Sequence, residues 1–109
     1  MNRPDRYYHS YLSLPYANEQ LQQYILDFFN TLRRVENSRN NLNASVNPQI
    51  INQLNAVNTH TINELIYTVN THKKNAIAML KKNDPYMDPE FIDALDDVLY
   101  KAYELLNKL

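Results

Sequence analysis

The first clear pattern of apolar positions lies in the stretch "NEQLQQYILDFFNTLRRVENSRNNL", residues 18 to 42. Its apolar residues recur in alternating steps of four and three, at Leu21, Ile25, Phe28, Leu32 and Val35. Such spacing puts all of them on one face of an α-helix. Asn18 is a suitable N-cap, with Ser13 as an earlier alternative. We predict that this helix ends near Asn40 and Asn41, since asparagine tolerates the left-handed conformation of a helix C-cap.

A second helix is predicted from about residue 48 to residue 82. Asn47 supplies its N-cap and Pro48 its first position, where a missing N–H costs nothing. Asn83 and Pro85 then end it, because neither residue favours continuation of a helix. The apolar positions of this helix are Ile51, Leu54, Val57, Ile62, Leu65, Val69, Ala76 and Leu80.

The apolar pattern of the second helix slips near its middle. The step from Val57 to Ile62 is five residues instead of three or four. At this slip, Thr61 followed by Glu64 matches a capping box, which marks the start of a helix. The sequence therefore predicts either one kinked helix or two helices that are split near residues 58 to 61.

The third helix has the most complete set of signals. Asp88 is the predicted N-cap, Pro89 opens the helix, and Met87 can pack on Ile92 as a hydrophobic staple. Its apolar seam consists of Ile92, Leu95, Leu99, Ala102, Leu106 and Leu109. The residues that flank this seam and broaden it are Phe91, Val98 and Leu105.

These patterns predict an all-α fold, because no stretch alternates between apolar and polar residues long enough to form a strand. We predict a three-helix up-down-up bundle, or four helices if the second one breaks near residues 58 to 61. With 109 residues the chain forms one domain. Residues 17–109 make up the helical bundle, and residues 1–16 precede it as an aromatic N-terminal arm.

The arm contains the unusual stretch "RYYHSYLSLPY", residues 6 to 16. Tyr7 with Tyr11, and Tyr8 with Leu12, stand at helical spacing, and the chain turns at Pro15. The arm is thus a short helix or an extended segment that covers the core of its own chain or binds another subunit. Tyrosine suits the second role, since it is enriched among residues that dominate binding energy. The candidate partner-binding residues are Tyr7, Tyr8, Tyr11, Leu12, Leu14 and Tyr16.

Composition excludes several classes of function. The chain has no glycine, so phosphate-binding loops, dinucleotide fingerprints and serine nucleophile elbows cannot form in their usual way. It has no cysteine, which excludes disulfides and thiolate zinc sites. We infer no cofactor, no metal and no small-molecule substrate. Sixteen asparagines, with many tyrosines, isoleucines and lysines, fit an AT-rich genome and hint at a viral, phage or accessory protein.

Charge is distributed unevenly along the chain, although the net charge is only −1. Residues 48–83 carry +3 and residues 88–109 carry −4. These charges either steer a partner or simply match the dipoles of their helices, which favour acids at N-termini and bases at C-termini. The alternative function that they suggest is nucleic-acid binding, which the net charge does not favour. The residues for that alternative are Lys73, Lys74, Lys81 and Lys82.

A small enzyme is the second alternative. His60 and Glu64 lie one helical turn apart, but a zinc site needs a third and a fourth ligand. Pairs within Asp93, Asp96 and Asp97 resemble an acid and a base. We expect these three carboxylates to be solvated, with no burial to raise a pKa. No arrangement of nucleophile, base and orienting group is visible, so we predict that the protein is not an enzyme.

The leading hypothesis is a non-enzymatic protein-interaction or structural assembly module, which acts through helix faces and the tyrosine-rich arm. Self-association or a protein partner is expected, because amphipathic helices of unequal length leave apolar surface uncovered. The apolar runs are too short to cross a bilayer, and no secretory leader opens the sequence. We therefore expect no membrane insertion and a soluble intracellular protein.

Overall fold

The computed structural model of the chain describes residues 19–42, 47–85 and 87–109. These ranges hold three α-helices and no β-strand: α1 over Glu19–Leu42, α2 over Pro48–Lys81 and α3 over Pro89–Lys108. The all-α prediction is confirmed for this part of the chain. Within these ranges, no helix is both long and apolar enough to cross a membrane. The predicted arm, residues 1–16, lies outside the described residues.

The apolar stripe predicted for α1 is confirmed. All five of its residues are buried: Leu21, Ile25, Phe28, Leu32 and Val35. Tyr24 and Phe29 flank the stripe and pack against the same core while keeping some contact with solvent. The regular steps of four and three explain this, because they keep one face of the helix turned toward its neighbours.

The second helix is continuous over 34 residues, so the alternative in which it breaks near residues 58 to 61 is wrong. Asn47 caps it as predicted, since its side chain accepts hydrogen bonds from the first turn. The expected capping box of Thr61 and Glu64 does not form. The Thr61 hydroxyl instead donates to the carbonyl of Val57 at 3.0 Å, and Glu64 contacts His60. A threonine inside a helix commonly donates to the carbonyl four residues earlier. The spacing of Thr61 and Glu64 therefore resembles a capping box in the sequence although no helix begins there.

The slip in the α2 pattern has a simple cause: polar residues occupy positions of the core stripe. Asn58 is buried and His72 is half-buried, and both stand in register with the apolar core residues. The true stripe, in regular steps of four and three, is Ile51, Asn55, Asn58, Ile62, Leu65, Val69, His72 and Ala76. The prediction that Leu54 and Val57 belong to the stripe was wrong, because both side chains are exposed.

The core-facing side of α3 is turned slightly from its predicted position. The seam that is almost completely buried combines residues predicted for its centre and for its flanks with Ala94, which the prediction omitted: Phe91, Ala94, Leu95, Val98, Ala102 and Leu105. Ile92, Leu106 and Leu109 are only partly buried at its edge. Asp88 caps the helix as predicted, since its side chain accepts a hydrogen bond from the Glu90 N–H at 2.9 Å.

One apolar core joins the three helices. Each helix packs against both of the others, and the contact between α2 and α3 is the most extensive. The largest apolar side chains that are almost fully enclosed come from all three: Ile25 and Leu32 from α1, Ile62 and Val69 from α2, and Phe91 and Leu95 from α3. Because every helix contributes, none of them can leave without exposing the stripes of the other two.

The turn between α2 and α3 shows how a chain without glycine ends a helix. Asn83 takes the left-handed conformation, with φ 58°. Its N–H donates to the Leu80 carbonyl at 3.0 Å, and the Asp84 N–H donates to the Met79 carbonyl at 3.1 Å. These two bonds form a Schellman motif, in which glycine is the usual residue and asparagine the next best. The predicted role of Asn83 is therefore confirmed.

This turn yields a stability prediction. Asn83→Val should lower the free energy of unfolding by about 1–2 kcal/mol, because a β-branched side chain is strained in the left-handed region, which asparagine tolerates better. Asn83→Gly should be neutral or stabilising for the same reason. Urea unfolding of both variants measures this. The matched control is Asn75→Val at an exposed position within α2, where the two residues have similar helix propensity. Equal losses at both positions would contradict the role of Asn83.

Candidate interaction surface

An apolar stripe is exposed on the first three turns of α2. Ile50, Leu54 and Val57 are 45%, 39% and 59% exposed, and they follow one another in steps of four and three. One turn further along the same side, Thr61 and Glu64 make the surface polar again. Exposed apolar residues are common singly, but a run at helical spacing forms a patch that another helix can cover.

The stripe lies on the part of α2 that α3 does not reach. With 34 residues, α2 spans about 51 Å, whereas the 20 residues of α3 span about 30 Å. The turn at residues 82–88 joins α3 to the C-terminal end of α2, and Lys73 contacts Asp96 near that end. The first turns of α2 therefore extend past the end of α3. The same side of α2 is also exposed beside α3, at Glu64, Thr68 and Asn75, so the stripe differs from the rest of this side in being apolar.

A polar contact lies on the seam between α1 and α2. The Asn58 amide donates to the hydroxyl of Ser38 at 3.1 Å. Nearby, the Arg34 guanidinium donates to Thr31 at 3.2 Å. These side chains line a shallow surface depression of about 370 Å³, together with Val35 and Thr61. Sequence analysis missed Asn58, although extending the steps of four and three backwards from Ile62 would have found it.

His72 is held among aromatic rings where α1 meets the other end of α2. Its ring centroid lies 4.4 Å from that of Tyr24 and 5.7 Å from that of Phe28. Burial lowers the pKa of His72 below its ordinary value, because an apolar site disfavours the charged form. The neutral imidazole consequently acts as a packing residue of the stripe.

An ion-pair network links α1 to α3. Lys101 contacts Glu36 of α1 at 2.8 Å and Glu104 of its own helix at 3.4 Å. Burial opposes the charged form of Lys101, but the hydrogen bond to Glu36 and the charges of both glutamates outweigh it, so the pKa of Lys101 is raised. This network fixes Lys101 at the level of Glu36 along the two helices.

Three of the four lysines of the nucleic-acid alternative border one shallow depression on α2, and one of these three pairs with a carboxylate. Lys73 is paired with Asp96 of α3, with 2.6 Å between Nζ and Oδ1. Lys74 and Lys81 are exposed and border the same depression as Lys73, and Lys82 is the C-cap of α2. Because one lysine faces a carboxylate and another lies at the helix end, this arrangement gives little support to the alternative.

The residues of the enzyme alternative are spread over the surface. His60 contacts Glu64 at 3.1 Å, and both side chains are about 70% exposed. Among the residues that the structure describes, no group of three or more His, Asp or Glu side chains is placed to hold a metal ion. The absence of an enzymatic function remains a prediction from the sequence.

The expectation that all three mid-helix carboxylates of α3 are solvated was wrong in one case. Asp93 is exposed, and Asp96 pairs with Lys73 at the surface. Asp97, in contrast, is 0% exposed. The covered surface of α3 is therefore wider than its apolar stripe, which the sequence pattern alone did not reveal.

The candidate partner-binding residues of the arm lie outside the described part of the chain: Tyr7, Tyr8, Tyr11, Leu12, Leu14 and Tyr16. Their role stays a prediction. No protein-family model, no curated protein and no solved structure matches this chain. The exposed stripe of α2 is thus the surface from which a function can be argued.

The site of His72 yields a prediction for pH dependence. In the unfolded chain a histidine titrates near pH 6.5. The folded pKa of His72 is lower, so its contribution to stability is complete above about pH 6.5 and is lost as the pH falls toward the folded value. The urea midpoint should therefore fall between about pH 6.5 and pH 5, and His72→Phe should weaken this dependence.

The matched control for this prediction is His60→Gln, which removes an exposed histidine from the same helix. It should leave the pH dependence of the midpoint as it is in the wild-type chain. If His72→Phe and the wild-type chain lose stability equally over this interval, then His72 is not the titrating group.

Proposed function

We propose that this chain is a non-enzymatic protein-interaction module, in which a three-helix up-down-up bundle presents the apolar stripe of α2 to a protein partner. The observation that carries the proposal is the exposure of Ile50, Leu54 and Val57 at helical spacing. The occupant is a second copy of the chain or another protein with an apolar helix face.

Contacts between α1 and α2 support the bundle arrangement. Tyr24, early in α1, packs on His72, late in α2. Ser38, late in α1, bonds to Asn58, early in α2. The order of contacts is reversed, so these helices run in opposite directions. A turn of only seven residues then returns α3 beside α2, which makes α1 and α3 parallel.

The geometry of the stripe supports binding to a helix. Anchors at positions i, i+4 and i+7 are typical of helices that pack into a groove or against a partner helix. The stripe lies where α2 extends past α3, so a partner can approach it without displacing an element of the described core. Burying three side chains of this size gives a useful but limited driving force. Further contacts, for which the tyrosines of the arm are suited, would add to it.

The proposal predicts the effect of a charge on the stripe. Val57→Glu should weaken association at least about tenfold, because a carboxylate would have to lose its water in the interface. The stability of the monomer should change by no more than about half a kcal/mol, since the site is exposed. Sedimentation velocity over a wide concentration range measures self-association, and affinity capture with both proteins tests for another partner.

Asn52→Glu is the matched control, because it adds the same charge to an exposed position on the opposite side of the same turns. It should associate like the wild-type chain. The proposal is contradicted if Val57→Glu associates like the wild-type chain. It also fails if the wild-type chain stays monomeric and captures no protein at all, or only proteins that Val57→Glu captures equally well.

A further inference from the structure

Three large side chains besides those of the α2 stripe are exposed on the second and third helices. Tyr67, Ile77 and Tyr103 are 76%, 36% and 49% exposed. Single exposed side chains of this kind are common, whereas a group on one face marks an interaction surface. Contacts between the helices show that these three form such a group.

On α2, two neighbouring residues mark the sides that border the other helices. His72 packs on α1, and Lys73 pairs with Asp96 of α3. Each residue adds 100° around a helix. Ile77 and Tyr67 therefore stand roughly 40° and 120° past Lys73, in the direction that leads away from His72. Both lie on the side of α2 that is turned away from α1.

On α3, the corresponding sides are marked by Asp96, which borders α2, and by Lys101, which borders α1 through its contact with Glu36. Tyr103 follows Asp96 by seven residues, or two helical turns, so it lies on the side of Asp96. The three exposed side chains thus share one surface of the α2–α3 pair, turned away from α1. We call this surface the outer face.

The outer face also carries both signs of charge, separated by helix. Lys74 and Lys81 are exposed on α2 and border the same depression as Ile77. On α3, Asp93 is exposed, and the side chain of Asp96 remains 44% exposed within its ion pair. Because one half of the face is basic and the other acidic, the face is complementary to a copy of itself.

We propose that the outer face binds a second copy of the chain about a two-fold axis parallel to the helices, so that α2 of each copy packs against α3 of the other. The four helices then form a bundle in which all neighbours are antiparallel. The charges select this axis. An axis across the helices would set α2 on α2 and α3 on α3, and the lysines of one copy would not meet the carboxylates of the other.

The register within one copy determines which residues meet. Lys73 and Asp96 lie at the same level, and the two helices run in opposite directions. Ile77, four residues after Lys73, therefore lies at the level of Ile92, four residues before Asp96. The proposed axis keeps every residue at its level, so Ile77 meets the partner subunit's Ile92, which is only partly buried in its own core.

The same count places opposite charges and aromatic rings together. Lys74 lies between the levels of the partner subunit's Asp93 and the partner subunit's Asp96. Tyr67 lies within one residue of the level of the partner subunit's Tyr103. Each contact occurs twice by symmetry, so one favourable pair contributes two contacts to the dimer.

The area of the face suits a dimer. Along the 20 residues of α3 it is about 30 Å long, and two packed helices are about 20 Å wide. Each copy would bury about 600 Å², or about 1,200 Å² in total, which is the lower limit for specific protein interfaces. The stripe of α2 stands roughly 150° around the helix from this face and stays open in the dimer.

Charge reversal tests the proposal, in a chain that also carries Val57→Glu so that association through the stripe does not enter. Lys74→Glu should weaken dimerisation at least about tenfold at low salt, because each new glutamate meets the partner subunit's Asp93. Asp93→Lys should have a similar effect, since each new lysine meets the partner subunit's Lys74. Sedimentation equilibrium measures both.

Mixing the two variants gives the decisive result. In an equimolar mixture, the new glutamate of one chain meets the new lysine of the other, and the original lysine meets the original aspartate. The mixture should therefore dimerise about as strongly as the parent chain. The matched control is Arg33→Glu, which makes the same change of charge at an exposed position of α1 and should dimerise like the parent.

Three results would overturn the proposal. The mixture could dimerise no better than the separate variants, Arg33→Glu could weaken the dimer as much as Lys74→Glu, or the parent chain could stay monomeric up to millimolar concentration. A monomeric parent that captures another protein, which Lys74→Glu then loses, would also overturn it, because the face would belong to a different partner.

Cross-linking tests the arrangement of the two copies directly. The chain has no cysteine, so Lys74→Cys and Asp93→Cys each introduce a single thiol. A short bismaleimide should join the two variants when they are mixed and should join neither variant to itself. Equal cross-linking within each variant alone would overturn the proposed axis. This inference stands apart from the proposed function, since loss of association in Val57→Glu is assigned to the stripe and loss in Lys74→Glu to the outer face.

Discussion

Burial of one core by three helices of unequal length is the constraint on which the rest of the molecule depends. Each helix has a single apolar stripe, and a stripe is stable only where neighbours cover it. Over the length of α3, the three stripes meet and the side chains are enclosed. Ile50, Leu54 and Val57 lie outside this shared core, on a side of α2 that is exposed along the helix. The candidate surface is thus apolar area that the core of the three stripes does not bury.

Polar residues within the covered surface limit how the helices can slide past one another. Asn58 bonds to Ser38, and His72 fits between Tyr24 and Phe28, so each end of the seam between α1 and α2 has its own polar or aromatic partner. A shift by one turn would separate both sets and leave a buried amide without its bond. Apolar stripes alone tolerate such shifts, because many registers bury a similar area. These contacts therefore contribute more to specificity than to total stability.

Local signals in the sequence predicted the helix ends well, because caps depend on a few neighbouring residues. Asn47, Asp88 and Asn83 all act as the sequence indicated. The stripe of α2 was predicted less well. Asn58 and His72 belong to it, but both are polar, so a pattern built from apolar residues alone omits them. Leu54 and Val57 were misplaced for the same reason. The burial of Asp97 could not be predicted at all, because it depends on what packs beside α3 and not on the residues around it.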